Sequence, residues 1–328
     1  DSIEEGLQKI VNFAISDITA PIIAITGSTG KTTTKQMLAA ILGFKNSVLY
    51  ADHFNTVWGN AMLLSRYENE DFVILECAMD RKGEIAWHAN TFDPDLGIIL
   101  NIGHVHAEKI GSIEEIYEEK KNLADYLDRA GKPLIINIDD ERLRKLKDTF
   151  KSELLSYGKS DDAMFKIYEI TLTDTGTDFN FGFINSWYTV HINAFGEGMV
   201  YDAMAAIIAG YKLGISIDDC IRGILNFSPN SGRFEIEKFG KDIIVVNDAY
   251  NANPSSMSMS LDTFTTMYTK DEYYRIVVLG DMKELGDVSE KMHKELGEKV
   301  KEMNFNQIYY VGDMFDTFGI GKKLENAD

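Results

Sequence analysis

Apolar residues along the first half of the chain follow two alternating periods. Short apolar runs of strand length are each followed by a segment in which apolar residues recur at helical spacing. The predicted strands are 21–26, 47–51, 72–77, 96–101 and 133–137. The predicted helices are 31–43, 57–66, 83–91, 113–129 and 140–149. This alternation predicts an α/β fold with a mostly parallel sheet that helices cover on both faces.

The pattern changes near residue 163. Over 163–196 apolar and polar positions alternate between turn residues, which predicts an antiparallel meander. Two helices, 201–213 and 216–226, are predicted to follow it. The turn from Pro229 to Gly232 then indicates a junction between domains.

Beyond Gly232 a second alternation of strands and helices predicts a smaller, Rossmann-like α/β domain. Its predicted strands are 243–247, 275–279 and 307–311, with helices starting near 254 and 289. We therefore expect a lead-in helix in residues 1–19, a central domain over 20–232 and a C-terminal domain over 233–328.

A glycine-rich turn joins the first strand to the first helix, with the sequence Thr26-Gly-Ser-Thr-Gly-Lys-Thr32. Backbone N–H groups at a helix N-terminus form an anion site, where Lys31 adds a positive charge and Thr32 a hydroxyl ligand for Mg²⁺. The turn is shorter than the usual G-x-x-x-x-G-K-[ST], but the strand before it and the helix after it argue against a chance match. The predicted nucleotide-binding residues of this turn are Gly27, Ser28, Thr29, Gly30, Lys31, Thr32 and Thr33.

Polar side chains stand where two further strands end. Glu76 closes the strand 72–77, where a buried acid needs a cation such as Mg²⁺ unless it reaches solvent. The segment from Asn101 to His106 follows the strand 96–101, and its histidines could bind metal or phosphate or be structural. We favour His106 over His104 for a metal.

Other polar positions support more than one interpretation. The charge pattern around Lys120 and Lys121 indicates only a solvated helix face. Arg233, at the predicted junction, could reach phosphates or lie on the surface. The loops 247–254 and 279–286 could bind nucleotide or substrate, although Asn and Asp are also common turn and cap residues.

Composition narrows the class of protein. The chain has 328 residues, 45% of them apolar, and a net charge of −19, which argues against a nucleic-acid surface but not against ATP. No apolar run approaches 18 residues, so we expect no membrane span, and the opening has no basic start that would indicate a secretory signal. Cys77 and Cys220 form neither a disulfide framework nor a metal pattern, which favours the cytoplasm.

Taken together, the motifs resemble the Mur ligase family, and most closely its MurF branch, over nearly the whole chain. The loops 247–254 and 279–286 are the most specific to that branch. The resemblance is carried by the segments 25–35, 54–59, 75–86, 101–112, 232–233, 247–254 and 279–286.

This resemblance implies an ATP-dependent amide ligase that activates a carboxylate as an acyl phosphate for attack by an amine. The implied partners are ATP, a carboxylate-bearing peptide or nucleotide-linked acceptor, and an amino acid or dipeptide, in murein or pseudomurein peptide synthesis. A Mur-like ligase of cofactor biosynthesis is an alternative, as is a nucleotide-binding module without ligase activity; a P-loop kinase has little support. We expect a cytoplasmic monomer.

The resemblance also implies roles for single residues. Lys31, His106 and Lys120 would be catalytic, with Thr32 and Glu76 holding one Mg²⁺ and His106 a second. Lys120 would be carbamylated to serve as a further ligand, with Lys121 as the alternative if the register shifts by one. In the nucleotide site, Arg233 would contact phosphate and Asp248 the ribose side, and Asn251 would belong to the same binding loop.

The chain departs from the family pattern in three places. Met199 and Asp202 stand where the family has two asparagines near the adenine, so the resemblance implies no base preference. We expect the family's UDP-binding N-terminal domain, which would stand before Asp1, to be absent. Its final strand and helix do not follow Asp328, so the C-terminal domain is expected to be truncated.

Overall fold

A nine-stranded sheet forms the centre of the first two thirds of the chain in the computed structural model, which describes residues 9, 11–13, 15–105 and 107–324. The predicted lead-in helix falls largely outside the described residues. The strands of the sheet are β1 (Ile22–Thr26), β2 (Val48–Leu49), β3 (Phe72–Glu76), β4 (Leu96–Ile99), β5 (Leu134–Asn137), β6 (Leu154–Gly158), β7 (Phe165–Leu172), β8 (Thr177–Phe183) and β9 (Ser186–Ile192).

The strand order is β2-β3-β1-β4-β5-β6-β7-β8-β9. Pairing is parallel from β2 to β7 and antiparallel from β7 to β9. The predicted α/β class is confirmed, and the meander extends the parallel sheet itself because β7 pairs with β6. Strand β6 was missed by the sequence prediction.

Helices cover both faces of this sheet. Alternate residues of β1 enter different cores: Ile23 and Ile25 pack in one cluster, and Ile22 and Ala24 in the other. Among the described residues, no helix is long and apolar enough to cross a lipid bilayer. The helices of this part are α1 (Lys31–Leu42), α2 (Val57–Leu64), α3 (Glu84–Phe92), α4 (Ala107–Ile110), α5 (Ile113–Ala130), α6 (Glu141–Arg144), α7 (Leu146–Thr149), α8 (Glu197–Lys212) and α9 (Ile217–Ile224).

Two predicted helices differ from the structure. The helix expected over 140–149 is split into α6 and α7. At the end of α6, Lys145 N–H bonds the carbonyl three residues back, Arg142 O, as in a 3₁₀ turn, which interrupts the α-helix. Helix α8 begins at Glu197, four residues before the predicted start, in a stretch where glycines weakened the helical pattern.

The C-terminal part contains two small sheets. Strands β10 (Glu235–Phe239) and β11 (Ile243–Asn247) form an antiparallel pair, and β12 (Ile276–Gly280), β13 (Gln307–Val311) and β14 (Lys322–Leu324) form a parallel sheet. The predicted strand 243–247 is present as β11, and it pairs with β10, a strand that the sequence prediction missed because its charged residues hid the strand period. The helices are α10 (Pro254–Met267), α11 (Ser289–Glu302) and α12 (Phe315–Phe318).

The strand order places a binding crevice at the end of β1. Strand β1 lies between β3 and β4. The strands that follow β1 in the chain, β2 and β3, lie on one side of it, and β4 and the later strands lie on the other side. Ligands of open α/β sheets bind beyond the carboxyl ends of the strands at such a switch point. The turn 27–30, Glu76 and Asn101 all lie at this point.

Candidate functional site

The turn after β1 has the backbone of a phosphate-binding loop. Gly30 precedes α1 with φ +85°, a left-handed conformation that favours glycine, and no side chain caps the helix. The first-turn amides of a helix have no intrahelical acceptor and attract anions. The loop therefore presents an anion site at the N-terminus of α1.

The segment after β4 braces this loop. The Asn101 side chain accepts a hydrogen bond from Thr29 N–H at 2.9 Å and donates one to Thr29 O at 3.2 Å. Ser28 Oγ donates to Gly103 O at 3.0 Å and accepts from Gly103 N–H at 2.8 Å. Four bonds thus fix the loop before any ligand arrives. Sequence reasoning noted Asn101 only as the start of a segment.

Lys31 lies at the base of the loop, where its ammonium donates to Gly27 O at 2.9 Å. Burial lowers the pKa of Lys31, Glu76 opposes that shift, and Arg233 adds to it. The half-buried Lys31 ammonium at the base of the loop is well placed to turn toward phosphate oxygens.

Glu76 and Thr32 meet beside the loop. The Thr32 hydroxyl donates to both carboxylate oxygens of Glu76, at 3.1 and 3.2 Å. On its other side Glu76 forms a buried ion pair with Lys35, whose Nζ lies 3.1 Å from Oε2. Glu76 therefore does not reach solvent, which was the alternative considered for it. Its cation in the structure is Lys35, a residue that sequence reasoning did not single out although it shares a helix face with Thr32.

These two oxygen groups fit a magnesium ion bound together with phosphate. Mg²⁺ in nucleotide sites takes one or two protein ligands and completes its shell with phosphate oxygens and water. Thr32 and Glu76 supply such a pair. Within residues 15–105 and 107–324, no group of three His, Cys, Asp or Glu side chains is arranged to hold a metal ion by itself.

Lys120 lies behind the same loop and Lys121 does not. The buried Lys120 Nζ donates to Gly27 O at 3.2 Å and lies 3.8 Å from Met79 Sδ. Burial lowers the pKa of Lys120 well below its usual range, and the charge of Lys31 adds to the effect. Lys121 instead pairs with Asp125 at 2.6 Å on the helix surface.

The structure describes only one of the two histidines in the segment 101–106. His106 lies outside the described residues. His104 is half-buried, and its Nδ1 has no hydrogen-bond partner among the described residues. Burial lowers the pKa of His104, and Arg142 adds to the lowering.

A cleft of about 730 Å³ opens over the loop between the central and C-terminal parts. Its floor is the loop with Glu76 and Asn101, and its far wall comes from Arg233 and the segment after β11. Arg233 stacks over the ring of Tyr250 at 4.4 Å in that wall. Asp248 accepts from Phe234 N–H at 3.0 Å, and Asn251 also lines the cleft.

Asp202 projects from α8 onto the phosphate loop. A Cβ atom at residue 30 would lie 2.1 Å from Asp202 Oδ1, so only glycine fits there. Burial raises the pKa of Asp202 to about 8, against the opposing effect of Arg233 and Lys31. The carboxyl therefore carries less negative charge near neutral pH than a free aspartate. Asp202, which stands where the family pattern has asparagine, therefore lies against the phosphate loop.

His88 supports Glu76 from behind and makes the fold sensitive to acid. Asn60 Nδ2 donates to Glu76 O at 3.0 Å and lies 3.4 Å from His88 Nδ1. Burial lowers the pKa of His88 to about 4. In the unfolded chain His88 takes up a proton near pH 6.5, whereas in the folded chain it stays neutral until the pH approaches 4. The folded state therefore loses stability as the pH falls from about 6.5 toward 4.

We expect the free energy of unfolding to drop by about 2 kcal/mol between pH 7 and pH 5 through His88 alone. Urea unfolding of the wild type and of His88→Phe at both pH values measures this difference. The variant should lose most of the drop. An equal drop in both proteins would show that His88 is not the group responsible.

The fold and the cleft are those of an α/β protein with a P-loop-like turn and an anion site at the N-terminus of α1. Comparison with known proteins narrows this class. The model of the Mur ligase middle domain matches residues 25–210, and that of the Mur ligase glutamate ligase domain matches residues 232–325. The chain belongs to the Mur ligase family.

Individual relatives agree with this assignment. The UDP-N-acetylmuramoyl-tripeptide–D-alanyl-D-alanine ligase of Bacillus subtilis is 32% identical over 94% of this chain, which spans 66% of that relative. MurF from Thermotoga maritima, solved in complex with ADP, superposes with a TM-score of 0.88 at 26% identity over 100% of this chain and 75% of its own. A pseudomurein peptide ligase type C from Methanothermus fervidus shares the fold, with a TM-score of 0.73 at 20% identity over 98% of this chain and 70% of its own.

Proposed function

We propose that this chain forms the ATP-binding and C-terminal parts of an ADP-forming amide ligase that joins D-alanyl-D-alanine to a UDP-N-acetylmuramoyl-tripeptide. The observation that carries this proposal is the pairing of Thr32 with Glu76 beside a braced phosphate loop, in a cleft between two domains. The ligase of Bacillus subtilis, whose name states this reaction, supports the substrate assignment. The chain spans about two thirds of that relative, so the complete reaction is part of the proposal.

Two bond-forming steps make up the proposed reaction. A carboxylate oxygen of the tripeptide attacks the γ-phosphorus of ATP, the bond to the β-phosphate oxygen breaks, and ADP leaves. The dipeptide amine then attacks the acyl carbon, the carbon–oxygen bond to phosphate breaks, and the amine gives up a proton. The products are an amide, ADP and phosphate.

The residues of this chain hold the phosphates for the first step. The amides of the loop bind the triphosphate, and Lys31 exchanges its bond to Gly27 O for bonds to phosphate oxygens. Arg233 contacts phosphate from the opposite wall, where the ring of Tyr250 supports it. On the nucleoside side we propose Asp248 and Asn251 as contacts.

The metal-binding role is proposed for Thr32 and Glu76. Magnesium bound there would neutralise charge on the transferring phosphoryl group. Lys35 holds Glu76 in place from the protein side, so that the carboxylate keeps its position as the metal exchanges.

We propose Lys120 and His106 as catalytic residues that would hold a second Mg²⁺ near the acyl phosphate. The lowered pKa of Lys120 favours the neutral amine, which is the form that reacts with carbon dioxide to give a carbamate. Mass spectrometry under native conditions should show a carboxyl adduct that is absent from Lys120→Arg. A wild type without the adduct would contradict the proposed carbamate on Lys120.

Murein chemistry is favoured over pseudomurein chemistry. Relatives named for the murein reaction are similar in sequence as well as fold, whereas the pseudomurein ligase supports the fold alone. We also propose that the protein works as a monomer in the cytoplasm, where nucleotide-linked wall precursors and ATP are both available.

Product analysis tests the proposal. The chain, and any longer polypeptide that contains it, is incubated with Mg-ATP, UDP-N-acetylmuramoyl-tripeptide and D-alanyl-D-alanine, and phosphate and the amide product are measured. Phosphate release that requires all three substrates and matches amide formation is the expected result. Nucleotide binding without turnover in every combination would favour a binding module instead.

A further inference from the structure

The loop from Asp281 to Gly286 follows β12, and the roles assigned above leave it without a function. The C-terminal domain holds it on both flanks. Asp281 accepts hydrogen bonds from Tyr310 Oη and Asp313 N–H, both at 2.9 Å. Met282 and Leu285 are buried in the core of this domain.

His293 fixes the middle of this loop from α11. The imidazole is completely buried; its Nδ1 donates to Ser289 O at 2.8 Å, and its Nε2 accepts from Met282 N–H at 3.0 Å. These two bonds fix its tautomer and bind the loop backbone to the helix. The loop is thus a rigid extension of the C-terminal domain.

The tip of the loop touches the central domain. Glu284 O accepts a hydrogen bond from Glu108 N–H at 3.2 Å, and Glu284 itself has φ +62°. Gly286 lies so close that a Cβ atom there would stand 2.9 Å from Glu108 Cα and 3.1 Å from its nitrogen. The contact is made by backbone, which only a glycine at residue 286 allows.

Glu108 belongs to the segment that supports the phosphate loop. Helix α4 is anchored in the central core by the buried Ile110. The chain just before it contains Asn101 and Gly103, which brace Thr29 and Ser28. Contact at Glu108 therefore acts on the same stretch that positions the phosphate loop.

We propose that the loop Asp281–Gly286 is a docking element with which the C-terminal domain holds helix α4, and through it the brace formed by Asn101 and Gly103, in its working position. Gly286 and His293 are positioning residues in this account, since neither touches the cleft. The effect on turnover rests on the proposed ligase function, whereas the contact itself can be measured without it.

Gly286→Ala tests the docking element, and Gly240→Ala is the matched control. Gly240 has a similar φ of +67° in the same domain, but a Cβ atom there meets nothing within 4 Å. Both variants carry the same kind of backbone strain, and only the first presses on Glu108. Hydrogen exchange of the peptide spanning 107–110 is compared with kcat and with nucleotide affinity.

We expect Gly286→Ala to speed amide exchange over 107–110 and to lower kcat, each about tenfold, and to weaken nucleotide binding, because the stretch that braces the phosphate loop loses its support. Gly240→Ala should match the wild type. If Gly286→Ala fails to fold, His293→Asn is measured instead: the asparagine amide can still donate to Ser289 O, but the side chain is too short to place an acceptor at the Nε2 position that Met282 N–H reaches.

The proposal is overturned if Gly286→Ala leaves amide exchange over 107–110 unchanged, or speeds it without lowering kcat. It is also overturned if Gly240→Ala has the same effect as Gly286→Ala. A wild type without ligase activity would instead count against the proposed function. In that case exchange over 101–105 becomes the second readout, and faster exchange there in Gly286→Ala alone would support the proposal, whereas no difference would overturn it.

Discussion

Replacing Lys31 by alanine is expected to lower kcat/KM for ATP by about three orders of magnitude. The half-buried Lys31 ammonium lies at the base of the phosphate loop, and it is the basic side chain that follows the turn directly. Without it, negative charge on the transferring phosphoryl group would lose the cation that the loop itself supplies. Steady-state phosphate release with all three substrates measures the change.

The control for this variant is Lys121→Ala. Lys121 belongs to the same protein and carries the same charge, but it pairs with Asp125 on the helix surface. Its loss should leave kcat/KM within about twofold of the wild type. Equal activity of Lys31→Ala and the wild type would mean that the loop does not act on the phosphates in the way proposed.

Replacing Glu76 by alanine is expected to damage both turnover and stability. Loss of the carboxylate removes the proposed metal ligand and should lower kcat by about three orders of magnitude. It also leaves the Lys35 ammonium buried without its partner, which costs about 3–5 kcal/mol of unfolding free energy. Phosphate release and urea unfolding measure the two effects separately.

The double variant Lys35→Met with Glu76→Leu separates these effects. Replacing both charges by apolar side chains of similar volume removes the unpaired cation, so most of the lost stability should return. Turnover should stay as low as in Glu76→Ala, because the metal ligand is still missing. Recovery of both stability and turnover in the double variant would show that Glu76 acts only through the ion pair.

The phosphate loop could be predicted from sequence because its signal is local. A strand, a glycine-rich turn and a helix lie within residues 21–43, and the structure has them in that order. Glu76 could be proposed as a site residue because an acid at the end of a buried strand needs a partner. The identity of that partner, Lys35, depended on packing between α1 and β3, and a lysine within a helix is ordinarily taken as exposed.

Other features depended on long-range contacts that a single sequence does not reveal. Lys120 and Lys121 are equivalent in charge pattern, and only the orientation of α5 turns one toward Gly27. Strand β10, the partner of β11, was missed because it is rich in charged residues. The docking of Gly286 on Glu108 joins segments far apart in the chain, so only the motif itself was visible in the sequence.

Isotope transfer tests the central claim that ATP activates a carboxylate in this cleft. The tripeptide substrate is labelled with oxygen-18 in its reacting carboxylate, and the phosphate and ADP formed with D-alanyl-D-alanine are analysed by mass spectrometry. An acyl phosphate requires that each phosphate released carries one labelled oxygen and that the nucleotide carries none. Turnover that gives unlabelled phosphate, or a label in AMP, would contradict this account.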